Sequence, residues 1–390
     1  MDDSSANGEV VARDRRRGLL FLSIASAAVS FAIFLQLGLN NNFLVEEIRA
    51  TGFQAGMLEA VRESCGIAAF AVLALIAGLA EPIIAFIVLL VFAGGLAAYG
   101  VAPSYAWVVG LSLVWSMGLH VWMPLPNSMA LALAEEGRAG ARLGQVAAAG
   151  SIGSGIGLAA AFSLHWAGLP IRPLYFLAGG AAVMGAVACL FIPRRLKTPG
   201  PRFVFKRAYG VYYLMAFFEG WRKQVALCFA GFLLVKSQHA SLSEMLLLWG
   251  AIQCVGYFTA RPVGRLIDRI GERPVLAFYN TVLIGLFCGY AFVTTKYLLY
   301  AIFLFDGFLG VCTTAFSTYV GRLAPKAEHT AVFSMGVAMN HIAAVSMPLV
   351  GGILWKTLGY QWAFLVGIPA ALASLALVSR LPKRATAAAE

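Results

Sequence analysis

Apolar segments of about 20 residues recur along almost the whole chain, with short polar or proline-rich stretches between them. A helix needs about 20 apolar residues to cross a hydrocarbon core of roughly 30 Å. The strands of a membrane β-barrel alternate apolar and polar residues, and these segments do not. The pattern predicts an all-α polytopic membrane protein with about twelve transmembrane helices. We place these spans at residues 18–40, 53–79, 83–101, 104–132, 143–166, 172–192, 208–235, 241–260, 274–294, 297–323, 330–355 and 359–380.

A basic, proline-rich segment at residues 193–207 interrupts this pattern near mid-chain. It separates six predicted spans from six, so we expect two pseudo-symmetric six-helix bundles. Repeats of this kind suit a transporter in which one half moves against the other around a central site. The predicted parts are a cytoplasmic N-tail (1–17), a first bundle (18–192), a cytoplasmic linker (193–207), a second bundle (208–381) and a cytoplasmic C-tail (382–390).

Composition and charge agree with a membrane location. Hydrophobic residues make up 60% of the chain and charged residues 12%, and the mean hydropathy is +0.80. Lys and Arg concentrate in the N-tail, the linker, the C-tail and the loops predicted on the same side, so the positive-inside rule predicts a multi-pass inner-membrane protein with both termini cytoplasmic. Topology and anionic membrane lipids then account for the net charge of +11, and nucleic acid is not expected as a partner.

The sequence offers no pattern for catalysis, a metal or a cofactor. The 6 cysteines fall within predicted spans without a Cys-x-x-Cys pair, and the 5 histidines are dispersed. We find no His-Glu-x-x-His, no Gly-x-Ser-x-Gly and no nucleotide-binding loop. We therefore expect neither an enzyme nor a cofactor.

One loop, between the eighth and ninth predicted spans, has a specific pattern. It reads Gly264-Arg-Leu-Ile-Asp268-Arg269-Ile-Gly271-Glu-Arg273, and it resembles the signature loop of the major facilitator superfamily. The resemblance implies the two-bundle fold, secondary transport by alternating access, and a gating role for Gly264, Asp268, Arg269, Gly271 and Arg273. Arg269 and Arg273 can pair with Asp268 or with a neighbouring helix and hold the inner face closed. Alternatively, the arginines only anchor the span.

The first half matches the family less well. Its copy of the loop keeps an acid at Glu81 before Pro82 but lacks the arginines. Gly144, Gly153 and Gly157 resemble the glycines of the family's antiporter motif. The alternative for these glycines is close helix packing.

Charged residues inside predicted spans are costly, so they indicate partners or a water-filled cavity. The second span carries Glu59, Arg62 and Glu63 on one helix face, and the seventh carries a similar triplet. We predict that the cations bind an anionic group of the solute and that a carboxylate takes the coupling proton. The predicted cations are Arg62, Arg222 and Lys223, and the predicted proton acceptors are Asp306, Glu219, Glu59 and Glu63.

Asp306 is the first choice for the proton site because the sequence around it offers no obvious partner. The alternative for both triplets is a self-contained pair within one helix, with a structural role only.

Polar residues near prolines and helix ends are further candidates for solute binding. They are Gln36 in the first span, His120 and Asn127 beside Pro124 and Pro126 in the fourth, and Asn340 and His341 in the eleventh. An intramembrane histidine can also be an ordinary hydrogen-bonded residue. Trp249 and three other tryptophans could stack on a solute or simply fill space.

These patterns predict a transporter that works as a monomer and moves a small organic anion or zwitterion by proton-coupled alternating access. Its expected partners are the solute, protons and membrane lipids. The alternatives are an efflux antiporter for neutral or cationic amphipathic solutes, a non-transporting receptor or scaffold with the same fold, and, less favoured, a channel.

Overall fold

The structure is a computed structural model that describes residues 3–76, 78–135, 138–196, 205–325 and 328–381. Most of the predicted linker and the predicted C-tail at 382–390 lie outside these residues. The described chain is helical almost throughout, with helices α1 (Asp3–Asn42), α2 (Gly52–Leu75), α3 (Glu81–Ala98), α4 (Tyr105–Trp122), α5 (Leu125–Ala132), α6 (Ala139–Trp166), α7 (Ile171–Cys189), α8 (Gly210–Gln224), α9 (Gly231–Gln238), α10 (Leu242–Ile270), α11 (Glu272–Phe292), α12 (Lys296–Leu309), α13 (Thr314–Leu323), α14 (His329–Leu358), α15 (Tyr360–Leu365) and α16 (Gly367–Val378).

Nine helical stretches of the described chain are long and apolar enough to cross a membrane, namely Ala12–Glu47, Glu81–Val101, Tyr105–Ala132, Ala141–Trp166, Ile171–Cys189, Glu272–Phe292, Lys296–Val320, Met335–Leu358 and Tyr360–Val378. The second, seventh and eighth predicted spans correspond to α2, to α8 with α9, and to α10. These helices carry the charged residues noted above, which lower their apolar content. The predicted all-α membrane fold is confirmed.

Two short π-helical segments widen the helices. Phe43–Glu47 follows α1, and Val225–Ala230 lies between α8 and α9. A π-helical turn closes its hydrogen bonds between residues five apart and is often found at functional sites.

The first compact unit comprises Met1–Ile48 and Cys65–Pro201. Within it α1 packs against α6 and α7, and α3 packs against α4 and α7. Gly153 of α6 lies so close to α1 that a side chain there would overlap the backbone of Ala27, and Gly157 approaches the carbonyl of Phe31. Gly144 meets open space. Two of the three glycines therefore provide the close helix contact that small residues allow.

An aromatic cluster in the core of this unit includes Phe43, the first residue of the first π-helical segment. The buried rings of Phe43, Tyr99 and Tyr175 contact one another with centroids 5.0 to 5.7 Å apart. The guanidinium of Arg172 lies over Phe43 and pairs with Glu47 at 2.8 Å.

The second compact unit comprises Arg49–Ser64 and Arg202–Glu390. Within it α8 packs against α14 and α16, α11 packs against α15 and α16, and α10 packs against α12. Gly220 of α8 abuts the backbone of Asn340 on α14. This contact brings the charged end of α8 into the interior of the unit, where Arg222 is buried.

Candidate functional site

The second unit contains a cavity of about 320 Å³ between α8, α10 and α12. Four charged residues line it, of which Glu219, Arg222 and Lys223 belong to α8 and Asp306 to α12. Apolar side chains, including Trp249, Ile252 and Phe303, form most of the remaining wall. The cavity therefore has a charged part and an apolar part.

Arg222 links the two carboxylates of the cavity. Its Nη2 lies 2.7 Å from Oε1 of Glu219, and its Nη1 lies 3.5 Å from Oδ1 of Asp306. The side chains of Arg222 and Asp306 are only 8% and 6% exposed. Because a buried charge without a partner is expensive, each carboxylate needs the guanidinium and the guanidinium needs at least one of them.

Two tyrosines of α11 hold the carboxylates in place. The hydroxyl of Tyr279 donates to Glu219, with Oε2 at 2.8 Å and Oε1 at 3.0 Å. The hydroxyl of Tyr290 donates to Oδ2 of Asp306 at 3.2 Å. The guanidinium of Arg222 also lies over the Tyr279 ring, 5.0 Å from its centroid.

These tyrosines were not among the residues predicted from the sequence. Their spacing could have indicated them, because Tyr279 and Tyr290 are three helical turns apart and share one face of α11.

Asp306, for which the sequence offered no obvious partner, is contacted by both Arg222 and Tyr290. The pair within one helix that we gave as the alternative does form between Glu219 and Arg222. It is not self-contained, however, because it extends to α11 and α12. The cluster joins three helices of the second unit.

Lys223 differs from its neighbour Arg222. It lines the same cavity, and its side chain is exposed rather than buried. Within the described part of the chain it takes part in no ion pair. Among the described residues, the cavity therefore contains one cation with two carboxylate partners and one cation without an ion pair, which Glu59 of α2 attracts only from a longer distance.

The triplet on α2 also belongs to the second unit. Arg62 contacts both Glu59 and Glu63, the latter with Nη2 3.0 Å from Oε1. Neither these three residues nor Asn340 and His341 belong to the described wall of the cavity. On α14, Nδ2 of Asn340 donates to the carbonyl of Ala216 at 3.4 Å, and Nδ1 of His341 lies 2.9 Å from the carbonyl of Val337.

The remaining solute-binding candidates belong to the first unit. Nε2 of Gln36 donates to Oδ1 of Asn40 at 3.0 Å. Nδ1 of His120 lies 2.8 Å from the carbonyl oxygen and 3.0 Å from the hydroxyl of Ser116. Asn127 is exposed on α5. These contacts link neighbouring turns of one helix and do not assemble a site by themselves.

The predicted gating loop is a sharp junction between α10 and α11. Gly264 lies within α10, and Gly271 joins the helices with φ 84° and ψ 172°, a conformation essentially confined to glycine. Asp268 and Arg269 are exposed, whereas the next acid, Glu272, is buried and pairs with Arg322 of α13.

The loop also touches the end of the described chain. Nη1 of Arg273 donates to the carbonyl of Leu381 at 3.3 Å. The ion pair of Glu272 was not anticipated from the sequence, because its partner lies on another helix. The gating role of the motif residues stays a prediction.

Solved structures share this fold over almost the whole chain. A nucleoside transporter, NupG, superposes with a TM-score of 0.75 at 13% identity, covering 93% of this chain and 99% of its own. A bacterial homologue of the human lysosomal transporter Spinster, in an inward-facing and occupied conformation, gives 0.73 at 12% identity, with 93% and 95% covered. The human organic anion transporter MFSD10 gives 0.61 at 14% identity, with 93% and 99% covered.

Sequence comparison matches the second half of the chain to a known family. No curated protein sequence matches the chain. The family model described as the Major Facilitator Superfamily matches residues 208–390, a range that includes the signature loop and the cavity. The second half of the chain therefore matches the major facilitator superfamily, and solved transporter structures share the fold of the whole chain.

Proposed function

We propose that the protein moves a small organic anion or zwitterion together with a proton, by alternating access, and that the cavity of the second unit binds the solute. The observation that supports this most directly is the charge balance of the cavity. Its wall contains two carboxylates, Glu219 and Asp306, and two cations, Arg222 and Lys223. The ionised set is neutral.

A solute anion entering a neutral cavity with a largely apolar wall leaves one negative charge without compensation. Unit charges 4 Å apart interact by roughly 4 kcal/mol at an effective dielectric constant of about 20. A proton bound by one carboxylate removes this repulsion. The anion and the proton therefore bind best together, which couples their movement.

Asp306 is the better proton acceptor of the two carboxylates. Arg222 lies 3.5 Å from Asp306 but 2.7 Å from Glu219. A tyrosine hydroxyl contacts one oxygen of Asp306, whereas Tyr279 contacts both oxygens of Glu219. Glu219 therefore has the closer contacts, and we assign the proton to Asp306.

Transport by purified protein in proteoliposomes tests the proposal. The panel contains small carboxylates, zwitterionic amino acids, cationic amphiphiles and nucleosides, the last because one structural neighbour is a nucleoside transporter. We expect a monovalent anion to accumulate under an imposed pH gradient and to respond little to membrane potential, since one proton per anion carries no net charge. Accumulation driven by potential alone would contradict proton–anion coupling.

Two variants separate coupling from binding. Asp306→Asn should abolish accumulation driven by the pH gradient while retaining exchange of solute between the two sides, because exchange needs no net proton movement. Glu219→Gln should impair both, since it disrupts the fixed partner of Arg222. If Asp306→Asn still accumulates solute under a pH gradient, the proton site is elsewhere.

We also propose that the protein acts as a monomer in the inner membrane with both termini in the cytoplasm. The supporting feature is the concentration of Lys and Arg in the segments predicted on that side, including Arg194 and Arg195 after α7. A C-terminal fusion to green fluorescent protein should fluoresce, and the same fusion to alkaline phosphatase should be inactive. The reverse pattern would refute the orientation.

A further inference from the structure

We infer that Lys223, and not Arg222, holds the anionic group of the solute, and that the solute is a monovalent carboxylate with an apolar body. The inference rests on the proposed function and specifies which residue selects the solute.

Arg222 is a poor anchor for a solute. Its guanidinium already lies between Glu219 and Asp306, with contacts of 2.7 and 3.5 Å, and it is buried. If it turned to a solute, these two carboxylates would lose their cation inside the protein. Arg222 therefore acts as a positioning residue that holds both acids in place.

Lys223 has the properties that a solute anchor requires. Its side chain is exposed on the wall of the cavity, and among the described residues no carboxylate lies within ion-pair distance of its ammonium. A single cation that forms no ion pair with a described residue matches a solute with one negative charge. A phosphate ester carries about 1.5 to 2 negative charges at neutral pH and would exceed it.

The apolar body of the solute has a defined place beside this cation. Lys223 of α8 lines the cavity together with Ala226 and Leu227 of the π-helical segment that follows. Ile252 and Phe303 add apolar wall from α10 and α12. A solute with its carboxylate at Lys223 can therefore lay its body along apolar side chains.

Trp249 adds a hydrogen-bond donor to the same wall. Its side chain is buried, and its indole N–H has no acceptor among the described residues. The Nε–H of Arg222 likewise has no acceptor there. Buried donors without acceptors are destabilising, and a carboxylate, which has only acceptor oxygens, is suited to such a wall.

Matched carboxylates and amides test the inference. The probes are benzoate with benzamide, nicotinate with nicotinamide, and the straight-chain acids of three to nine carbons with their amides. Each probe is titrated into the purified full-length protein, and its binding is followed by tryptophan fluorescence. We expect the wild-type protein to bind at least one carboxylate 10-fold or more tightly than its amide.

The variants assign this preference to a residue. Lys223→Met should lower the affinity for the carboxylate by about 10- to 100-fold, to the level of the amide, while Lys223→Arg should retain the preference because it keeps the charge. Lys236→Met is the matched control, since Lys236 is an exposed lysine on α9 outside the described wall. Lys223→Gln provides a second neutral variant, and size-exclusion profiles establish that each variant folds.

A carboxylate preference that survives in Lys223→Met and Lys223→Gln would overturn the inference, as would a wild-type protein with no such preference. The proposed function fails separately, when no solute accumulates under a pH gradient. If solute accumulates under a pH gradient but the preference for the carboxylate over the amide does not depend on Lys223, the proposed function stands and the inference falls.

Discussion

Replacement of Arg222 by glutamine should be the most damaging single change in the cavity. The variant leaves Glu219 and Asp306 buried without a cation, although hydroxyl groups still contact both. Removing one partner of a buried ion pair costs about 3–5 kcal/mol. At about 1.4 kcal/mol for each factor of ten, the ratio of folded to unfolded protein should fall by roughly two to four orders of magnitude.

Double variants make this prediction quantitative. Adding Asp306→Asn or Glu219→Gln to Arg222→Gln removes one of the two uncompensated charges, so each double variant should be more stable than the single one. Glu219→Gln should restore more, because Arg222 is closer to Glu219 than to Asp306. Coupling energies of neighbouring residues typically reach about 0.5–3 kcal/mol.

The assay is reversible unfolding in mixed micelles at neutral pH, with increasing fractions of sodium dodecyl sulfate. The free energy of unfolding is measured for the wild-type protein, the three single variants and the two double variants. A decrease of less than about 1 kcal/mol in the free energy of unfolding of Arg222→Gln would contradict this prediction. So would a double variant that is less stable than Arg222→Gln alone.

Three further predictions concern the scaffold. Gly271→Ala should destabilise the protein by about 1–3 kcal/mol because φ of 84° disfavours a side chain, and Gly153→Ala should do so by about 1–3 kcal/mol by forcing α6 from α1. Thermal unfolding measures both, with Gly264→Ala as the control because a side chain there meets open space. The hydrogen bond from Arg142 lowers the pKa of Glu135 from 4.5 to about 2, so its contribution to stability is present above pH 4.5 and fades as the pH falls towards 2. Glu135→Gln should remove this part of the pH dependence, and high salt should weaken it in the wild-type protein; identical pH profiles would contradict the assignment.

Most of the spans could be predicted because the bilayer requires long apolar helices, but their interruptions could not. The fourth predicted span breaks at Pro124 into α4 and α5. The tenth tightens into a 3-10 turn at Gly310–Thr313 before α13. Hydrophobicity continues through both breaks, so only the proline gave a local signal.

In the candidate site, contacts within one helix could be predicted from the sequence, whereas contacts between helices could not. The pair of Glu219 and Arg222 follows from helical spacing alone. Asp306 reaches the same guanidinium from 84 residues further along the chain, and Tyr290 of α11 donates to Asp306. Such contacts depend on how α8, α11 and α12 pack, which the sequence of any one helix does not specify.

The signature loop is a similar case. The positive φ of Gly271 agrees with a motif that requires glycine at that position. The buried partner of Arg322 is Glu272 and not the motif acid Asp268. The motif therefore located the junction of the two helices but not the ion pair beside it.

The π-helical segment at Val225–Ala230 has a consequence for how this protein can change over evolutionary time. A π-helical turn is equivalent to an α-helix with one residue inserted, and it begins two residues after Lys223. Because the wider turn absorbs the extra residue, loss of one residue there would restore an ordinary α-helix while α8 and α9 keep their faces. Ala226 and Leu227, which line the cavity, lie within this turn. Length variation at this one turn would therefore change the apolar wall of the cavity without disturbing the buried ion pairs.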